Sequence, residues 1–128
     1  MAPTFLGLAE ILAVHRDQVE RYGGALGIRD LELLQSAAAM PAAGFGGQYL
    51  HADLFEMAAA YLFHIVRNHP FVDGNKRTGA VAALVFLETN GVELHADERS
   101  FENIVRAVAE GNAGKAELAE FFRSGARA

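Results

Sequence analysis

The chain of 128 residues carries a formal net charge of −5, and 52% of its residues are hydrophobic. This length suits one folded domain, residues 1–128, and the apolar content with only three prolines excludes a disordered chain. The negative charge argues against broad electrostatic binding of nucleic acid, so no direct nucleic-acid partner is expected. Because the chain has no cysteine, disulfides and thiolate metal sites are excluded.

Neither the start of the chain nor its apolar stretches predict export or membrane insertion. Residues 1–4 lack a basic region followed by an apolar one, so no signal peptide is expected. The apolar stretch of residues 54–66 is interrupted by Glu56 and His64 and is too short to span a bilayer. We therefore expect a cytoplasmic protein with no membrane partner.

Apolar residues at three- and four-residue spacings predict a first helix over residues 4–21. Thr4 is its expected N-cap, and Gly23-Gly24 is its expected stop. The positions predicted to face inward are Phe5, Leu8, Ile11, Leu12, His15 and Val19. The triplet His15-Arg16-Asp17 is interpreted as helix surface, because the other sequence features of a protein-kinase catalytic loop are absent.

A second helix is expected over residues 31–39, capped by Asp30 and ended by Met40-Pro41. Its predicted inward residues are Leu31, Leu34 and Ala38. The segment that follows, residues 41–50, is the least regular part of the chain and is called the flap below. Its three glycines predict a mobile or strand-like segment with Phe45 and Tyr49 as anchors, and an ordinary surface loop is the alternative.

The third helix, from residue 54 to about residue 68, begins with a capping-box pattern formed by Asp53 and Glu56. It is apolar around most of its circumference, so we expect it to be central, with His64 as a core or interface histidine. Further helices are predicted over residues 75–90 (ending at Gly91), 97–110 (capped by Asp97) and 115–123, with a short extended link over residues 92–95. The predicted fold is a compact all-α bundle of about six helices.

A polar run from His69 to Gly79 joins the two most apolar helices. Pro70 is expected to end the first of them and to push His69 out of helical geometry. Asp73-Gly74 predicts a turn in which Gly74 takes a positive φ and Asp73 caps the next helix. The run is therefore predicted to be a structured connection between two buried helices.

The first turn of that next helix carries Asn75, Lys76 and Arg77. Two cations there oppose the helix macrodipole, which favours anions at the N-terminus. A bound anion such as phosphate, held by free N–H groups and these side chains, would resolve the conflict. His69 would lie beside it, able to take or give a proton near neutral pH. The alternative is a solvated loop whose cations point into water.

The run His69-Pro70-Phe71-Val72-Asp73-Gly74-Asn75-Lys76-Arg77 resembles the signature of the Fic/Doc superfamily, and its lysine form resembles the Doc (death-on-curing) branch. Other stretches are also similar to Doc-type chains: Tyr22-Gly23-Gly24, Gly27-Ile28-Arg29-Asp30, Leu33-Leu34-Gln35-Ser36-Ala37 and Phe86-Leu87-Glu88-Thr89-Asn90-Gly91. The resemblance covers nearly the whole sequence. It implies the all-α Fic/Doc-like (Fido) fold with a short Gly-rich flap.

The resemblance also implies a transferase site that uses ATP and Mg²⁺. His69 would be the general base that deprotonates a target hydroxyl, and Asp73 would position that hydroxyl or hold Mg²⁺. Lys76 and Arg77 would offset the charge that develops on the transferred phosphoryl group. The implied nucleotide-binding residues are Gly74, Asn75, Lys76 and Arg77. The implied target-docking residues of the flap, which would pair with the target like a strand, are Phe45, Gly46, Gly47 and Tyr49.

Two residues depart from the pattern of the AMP-transferring Fic enzymes. Lys76 stands where those enzymes have glycine, and Ala80 stands where their second arginine would follow. In the Doc branch the nucleotide is turned so that its γ-phosphate meets the acceptor, which implies phosphorylation of a Ser or Thr hydroxyl. AMP transfer to a protein hydroxyl is the alternative, and a non-catalytic phosphate- or peptide-binding module is a third hypothesis.

The resemblance further implies a toxin of a type II toxin–antitoxin system. The implied target is translation elongation factor Tu, with growth arrest as the consequence, and the implied partner is an antitoxin whose disordered tail folds as a helix on this protein. Some Fic proteins carry an internal inhibitory motif, Ser/Thr-x-x-x-Glu-Gly. Glu110-Gly111 matches it in part, but Arg106 stands where Ser or Thr is required, so a separate antitoxin is expected.

Overall fold

A computed structural model describes residues 2–127, so Met1 and Ala128 lie outside the described part of the chain. The helices are α1 (Leu8–Tyr22), α2 (Leu31–Ala39), α3 (Leu54–Asn68), α4 (Asn75–Thr89), α5 (Glu98–Ala109) and α6 (Lys115–Gly125), with a 3₁₀ turn at Met40–Ala42. The strands are β1 (Gly44–Phe45), β2 (Gln48–Tyr49), β3 (Glu93–Leu94) and β4 (Ala126–Arg127). They form two antiparallel pairs, β1 with β2 and β3 with β4. The predicted all-α bundle is confirmed.

Helix α3 lies at the centre of the bundle and packs against α2, α4, α5 and α6, as predicted. Its fully buried side chains are mostly small or aliphatic, which lets α4 approach closely. A Cβ added at Gly79 of α4 would lie 3.0 Å from Val66 Cγ2 and 3.3 Å from the carbonyl oxygen of Leu62. The close contact of α3 with α4 sets the two ends that the polar connection must join.

Three of the predicted N-caps are confirmed by their hydrogen bonds. The carboxylates of Asp30, Asp53 and Asp97 accept from backbone N–H groups three residues further on, at 3.0, 2.8 and 3.0 Å. At the start of α3, Glu56 accepts from the N–H of Ala52 at 3.0 Å, the residue before the cap, and not from the N–H of Asp53 as a regular capping box requires. These caps satisfy donors that a helix start otherwise leaves without partners.

The predicted cap of the first helix is wrong. Helix α1 begins at Leu8, after Gly7, and Gly7 has no side-chain cap hydrogen bond. Thr4 instead pairs with Asn90: its N–H donates to Asn90 Oδ1 at 2.8 Å, and its carbonyl accepts from Asn90 Nδ2 at 2.9 Å. This long-range pairing holds residues 4–7 against the end of α4, so the chain before Leu8 is extended.

In the first two helices, the predicted inward position of Leu31 is wrong, whereas that of His15 is confirmed and its interpretation as part of a surface triplet is wrong. Leu31 was expected to face inward but is 50% exposed, whereas Leu34 and Ala37 are buried. His15 was interpreted both as inward-facing and as part of a surface triplet, and it is only 4% exposed. Arg16 and Asp17 are exposed, so the surface interpretation holds for those two residues alone.

The flap contains the two-residue strands β1 and β2, which confirms a strand-like segment. All residues from Gly44 to Leu50 are exposed. Tyr49 contacts the ring of Phe5 edge-on at a centroid distance of 5.5 Å, but Phe45 is 94% exposed. Tyr49 is therefore an anchor as predicted, and Phe45 is not.

None of the helices in residues 2–127 combines the length and apolarity that a membrane span requires.

Candidate active site

The connection between α3 and α4, residues 69–74, forms one wall of a pocket of about 490 Å³, called the active-site pocket below. All six residues predicted for chemistry and nucleotide binding line this pocket: His69, Asp73, Gly74, Asn75, Lys76 and Arg77. Val66 and Ala109 complete its lining. The four predicted flap residues line a separate shallow depression instead. The connection and the start of α4 therefore bring the predicted catalytic and nucleotide-binding residues together, and the predicted docking residues of the flap lie on a separate surface.

His69 is held in a conformation that non-glycine residues adopt rarely. Its φ of 51° and ψ of 53° are left-handed, and it is the one non-glycine residue with positive φ among those described. Its carbonyl accepts from Arg29 Nε at 2.6 Å, and Arg29 Nη2 donates to the carbonyl of Asn68 at 2.9 Å. The prediction that Pro70 forces His69 out of helical geometry is confirmed. Arg29 caps the end of α3 and holds the strained residue in place.

The backbone of the connection pairs with residues 27–30, which lie between α1 and α2. The carbonyl of Pro70 accepts from the N–H groups of Arg29 and Asp30 at 2.7 and 3.0 Å. The N–H of Val72 donates to the carbonyl of Gly27 at 3.0 Å, and Ile28 forms a β-bridge with Phe71. Sequence reasoning missed this pairing, although the stretch Gly27 to Asp30 was one of those that resemble Doc-type chains.

Phe71 is fully buried beneath the connection and anchors it. The ring of His15 stacks on it at 3.8 Å with an angle of 5° between the planes. His15 Nε2 lies 2.8 Å from the carbonyl oxygen of Asp73. Because a carbonyl oxygen only accepts, Nε2 carries the hydrogen in this contact. His15 is thus a support of the site that its interpretation as helix surface overlooked.

The side chain of Asn75 closes the connection. Asn75 is 5% exposed, its Oδ1 accepts from the N–H of Phe71 at 2.9 Å, and its Nδ2 donates to the carbonyl of Phe71 at 3.0 Å. Both ends of the amide are therefore occupied by protein. For anion binding this leaves the backbone N–H of Asn75 and the second hydrogen of Nδ2, which has no partner among residues 2–127.

Asp73 does not cap α4 as predicted. The N-cap is Gly74, whose predicted positive φ is confirmed at 77°, and this residue separates Asp73 from the helix. Asp73 Oδ1 accepts from the N–H of Gly74 at 2.8 Å, and Oδ2 accepts from the N–H of Ala25 at 3.3 Å. A Cβ at Gly24 would lie 2.6 Å from Oδ2, so only glycine permits this approach.

The carboxylate of Asp73 is compatible with one Mg²⁺. Each oxygen accepts one hydrogen bond, which leaves lone pairs on both oxygens for a metal. Among residues 2–127 there is no group of three or more His, Asp or Glu side chains arranged to hold a metal ion. Mg²⁺ would therefore depend on Asp73 together with phosphate oxygens and water, which is its usual mode with nucleotides.

The two cations at the start of α4 differ from each other, because Arg77 contacts other protein groups and Lys76 has no ion-pair partner among the described residues. Arg77 Nη2 donates to the carbonyl of Gly23 at 2.9 Å, and its guanidinium lies 5.7 Å from the centre of the Tyr22 ring. Lys76 is exposed and has no ion-pair partner in the described part of the chain. The first intrahelical hydrogen bond runs from the N–H of Thr78 to Gly74, so the three N–H groups before Thr78 have no helical acceptor. Together these groups can bind an anion.

His64, the other histidine of α3, does not line the active-site pocket. Its Nε2 lies 3.1 Å from Lys115 Nζ, and the same ammonium lies 3.5 Å from Nε2 of His51. Burial, and then the positive charge of Lys115, lower the pKa of His64 to about 4. The prediction of a core or interface histidine is confirmed, because His64 joins α3 to α6.

Comparison with known proteins is consistent with this geometry. Residues 5–87 match the model of the Fic/DOC family, a span that includes both the flap and the α3–α4 connection. The chain is 49% identical to "Toxin Doc" of Mycolicibacterium smegmatis over 76 residues, which are 59% of this chain and 58% of that protein. It is 32% identical to "Protein kinase doc" of Escherichia phage P1 over 114 residues, 89% of each chain.

Proposed function

The chain belongs to the Fic/DOC family, in its Doc branch, and on that premise we propose that it is a toxin that phosphorylates a Ser or Thr hydroxyl of a target protein with ATP. The observation that carries the proposal is the convergence of His69, Asp73 and the first turn of α4 on one pocket. The name of the phage P1 relative, a protein kinase, supports phosphoryl transfer over AMP transfer.

In the proposed reaction, His69 takes the proton of the target hydroxyl. The hydroxyl oxygen bonds to the γ-phosphorus of ATP while the bond from that phosphorus to the bridging oxygen breaks, and ADP leaves. The proton stays on the imidazole until it is released to solvent. His69 is suited to this role because its side chain is exposed in the pocket, and imidazole exchanges protons near neutral pH.

The start of α4 would bind the transferred group. Its free N–H groups and the ammonium of Lys76 would offset the charge that spreads over the γ-phosphate oxygens in the transition state. Lys76 is suited to this role because no protein carboxylate among residues 2–127 competes for it. Arg77 would add a second positive charge from a guanidinium that Gly23 already holds in place.

Asp73 would position the target hydroxyl or hold Mg²⁺. Bound there, Mg²⁺ would neutralise phosphate charge and fix the orientation of the phosphates. The contacts of Asp73 with the N–H groups of Gly74 and Ala25 orient the carboxylate without using all of its lone pairs. This arrangement supports the role of Asp73 under either assignment.

The target and the partner are part of the same proposal. Translation elongation factor Tu is the proposed target in the cytoplasm, with growth arrest as the outcome, and the flap would hold a segment of it by strand-like pairing. The exposed backbone of residues 44–50 supports this docking role. The name of the M. smegmatis relative supports a toxin, and so a cognate antitoxin whose disordered tail folds on this protein.

The test is label transfer from ATP that carries the tracer on either the γ- or the α-phosphate, to elongation factor Tu and to proteins of a lysate. We expect label from the γ position only, and a loss of at least about 10²-fold in His69→Ala. The matched control is His95→Ala, since His95 is exposed, contacts Glu93 at 3.3 Å and lies outside the pocket.

The other outcomes separate the competing functions. Label from the α position would replace the kinase proposal by AMP transfer. No label from either position, together with growth arrest that is the same in wild type and His69→Ala, would leave a non-catalytic binding module. Equal loss in His69→Ala and His95→Ala would remove His69 from the chemistry.

A further inference from the structure

A second cavity adjoins the active-site pocket. It is a groove of about 350 Å³ between α4 and α5, called the α4–α5 groove below. Lys76 and Arg77 line both cavities, so the two meet at these side chains. On the α5 side the groove is lined by Phe101, Glu102, Val105 and Arg106, and on the α4 side also by Ala80. A ligand bound at the start of α4 can therefore extend into the groove past Lys76 and Arg77.

The groove concentrates positive charge on a protein that is acidic. Lys76, Arg77 and Arg106 line the groove together with a single carboxylate, that of Glu102, although the whole chain has a net charge of −5. Like charges close together destabilise a folded protein unless a counter-charge binds between them. The composition of the groove therefore indicates an anionic ligand.

Arg106 differs from the other arginines. Arg21 and Arg123 pair with carboxylates, and Arg29, Arg67 and Arg77 donate to backbone carbonyls. Arg67, Arg77 and Arg106 each line a pocket, and of these three Arg106 alone has no hydrogen-bond or ion-pair partner among residues 2–127. A guanidinium in this position is suited to bind phosphate with two parallel hydrogen bonds.

The floor of the groove is apolar. Ala80, Phe101 and Val105, here called the floor, are partly or fully buried, whereas Lys76, Glu102 and Arg106, here called the rim, are exposed. An apolar floor lowers the local dielectric, which strengthens the attraction of the rim cations for an anion. An elongated ligand with several phosphates and a less polar end fits this arrangement, as a nucleoside triphosphate does.

We propose that Arg106 is a nucleotide-positioning residue, which binds the non-transferred phosphates of ATP in the α4–α5 groove. The inference depends on the proposed function for the identity of the ligand. The γ-phosphate lies at the start of α4, the phosphate chain passes Lys76 and Arg77, and Arg106 of α5 binds its far part. Helix α5, which lines the active-site pocket with Ala109, thereby also contributes a charged side chain to the site.

The first test is direct titration of Mg²⁺–ATP and of adenosine into wild type, Arg106→Ala and Arg106→Lys. Arg106→Ala should weaken ATP binding about tenfold, because one charge-assisted contact is lost, and change adenosine binding less than about twofold. Arg106→Lys should recover part of the affinity, since it keeps the charge but not the planar fork. The matched control is Arg99→Ala, an exposed arginine of the same helix that lines neither cavity.

Unchanged ATP affinity in Arg106→Ala would overturn the proposal, as would equal losses for ATP and adenosine or a wild type that binds no ATP. Thermal unfolding of each variant identifies any loss that comes from misfolding, and Arg106→Lys then decides the outcome. In the transfer assay, Arg106→Ala should raise KM for ATP more than it lowers kcat.

The titration and the transfer assay separate this inference from the proposed function. If γ-label transfer is absent but ATP binding still depends on Arg106, the kinase proposal fails and the positioning role stands. If transfer is present and neither the KM nor the affinity for ATP changes in Arg106→Ala, the kinase proposal stands and the positioning role fails.

Discussion

The α3–α4 connection and the flap lie at opposite ends of the same central helix, and they are held in opposite ways. In the connection, the side chains of Asn75, Arg29 and His15 bond to backbone groups, and residues 27–30 pair with its backbone. The flap is fully exposed from Gly44 to Leu50. Within the flap, the N–H of Leu50 donates to the carbonyl of Ala43 at 2.8 Å. Towards the rest of the chain, Tyr49 contacts Phe5, and the 3₁₀ turn at the start of the flap packs against α3.

The glycines of the two regions show the same difference. A Cβ at Gly24 would lie 2.6 Å from Asp73, and one at Gly27 would lie 3.1 Å from Val72. Gly46 and Gly47 of the flap also have positive φ, but a Cβ at either would meet nothing within 4 Å. Glycine is needed at positions 24 and 27 for close packing, and at positions 46 and 47 only for the turn. Gly44 is the exception in the flap, because a Cβ there would clash with the carbonyl oxygen of Gln48 on the paired strand.

This difference matches what the two regions are proposed to do. Reacting groups must be held within a fraction of an ångström, so the surroundings of a catalytic loop need to be rigid. A segment that accepts a peptide by strand pairing needs free backbone groups and freedom to adapt. If the connection is rigid and the flap is able to adapt, substitutions in the connection should have larger effects on stability than substitutions in the flap.

Asn75→Ala should cause the largest change. It leaves the N–H and the carbonyl of buried Phe71 without partners, so the free energy of unfolding should fall by about 3 kcal/mol and label transfer should be lost. Urea denaturation measures the first effect. The matched control is Asn103→Ala on the exposed surface of α5, which should change stability by less than about 0.5 kcal/mol. A loss that small in Asn75→Ala would show that the connection does not depend on this amide.

Gly24→Ala should destabilise the protein by about 2 kcal/mol, because it adds a clash with Asp73 to the cost of a left-handed alanine. Gly46→Ala carries the conformational cost alone and should lose about 1 kcal/mol. Thermal unfolding compares the two, and the transfer assay should show a loss of rate only for Gly24→Ala. Equal effects on rate would mean that the position of Asp73 is not set by its contact with Gly24.

The stability of the protein should depend on pH through the cluster of His51, His64 and Lys115. His51 and His64 both contact Lys115, and the folded-state pKa of His64 is about 4, against an ordinary value near 6.5. Between these values the unfolded chain binds more protons than the folded one, so the free energy of unfolding falls as pH falls from about 6.5 to about 4. Partial exposure limits the change to about 1–2 kcal/mol.

Urea denaturation at several pH values measures this slope in wild type and in His64→Gln, which lacks the titrating group. Between pH values of about 4 and 6.5, the free energy of unfolding should depend less steeply on pH in His64→Gln than in wild type. Above that window, His64 makes no contribution to the pH dependence of stability. An unchanged slope would assign the acid sensitivity to other groups.

Phe45→Ala should have the smallest effect on the folded protein. Because the side chain is 94% exposed, the free energy of unfolding should change by less than about 0.5 kcal/mol, and ATP affinity should be unchanged. If the flap docks the target, KM for the protein substrate should rise about tenfold, the loss expected for one apolar anchor. A normal KM for the target would remove Phe45 from the docking surface.

The helices, three of their caps and the turn at Gly74 could be predicted from the sequence, because they depend on neighbours within a few positions. Asp30, Asp53 and Asp97 cap helices through residues three positions away, and Gly74 turns the chain where the pattern predicted. The two caps that were predicted wrongly, Thr4 and Asp73, both have long-range partners instead. Thr4 pairs with a residue 86 positions away, and Gly74 rather than Asp73 became the N-cap while Asp73 Oδ2 accepts from Ala25, 48 positions away.

The sequence alone therefore determined the helical fold, the conformation of the connection and the set of side chains at the start of α4, since local propensity and the motif specify them. The supports of the site depended on tertiary packing: His15 contacts a residue 58 positions away, and Arg29 contacts one 40 positions away. Arg106 likewise lines the α4–α5 groove only because α5 packs beside α4. Contacts between distant positions leave no periodic signal in the chain, because they depend on how whole helices pack.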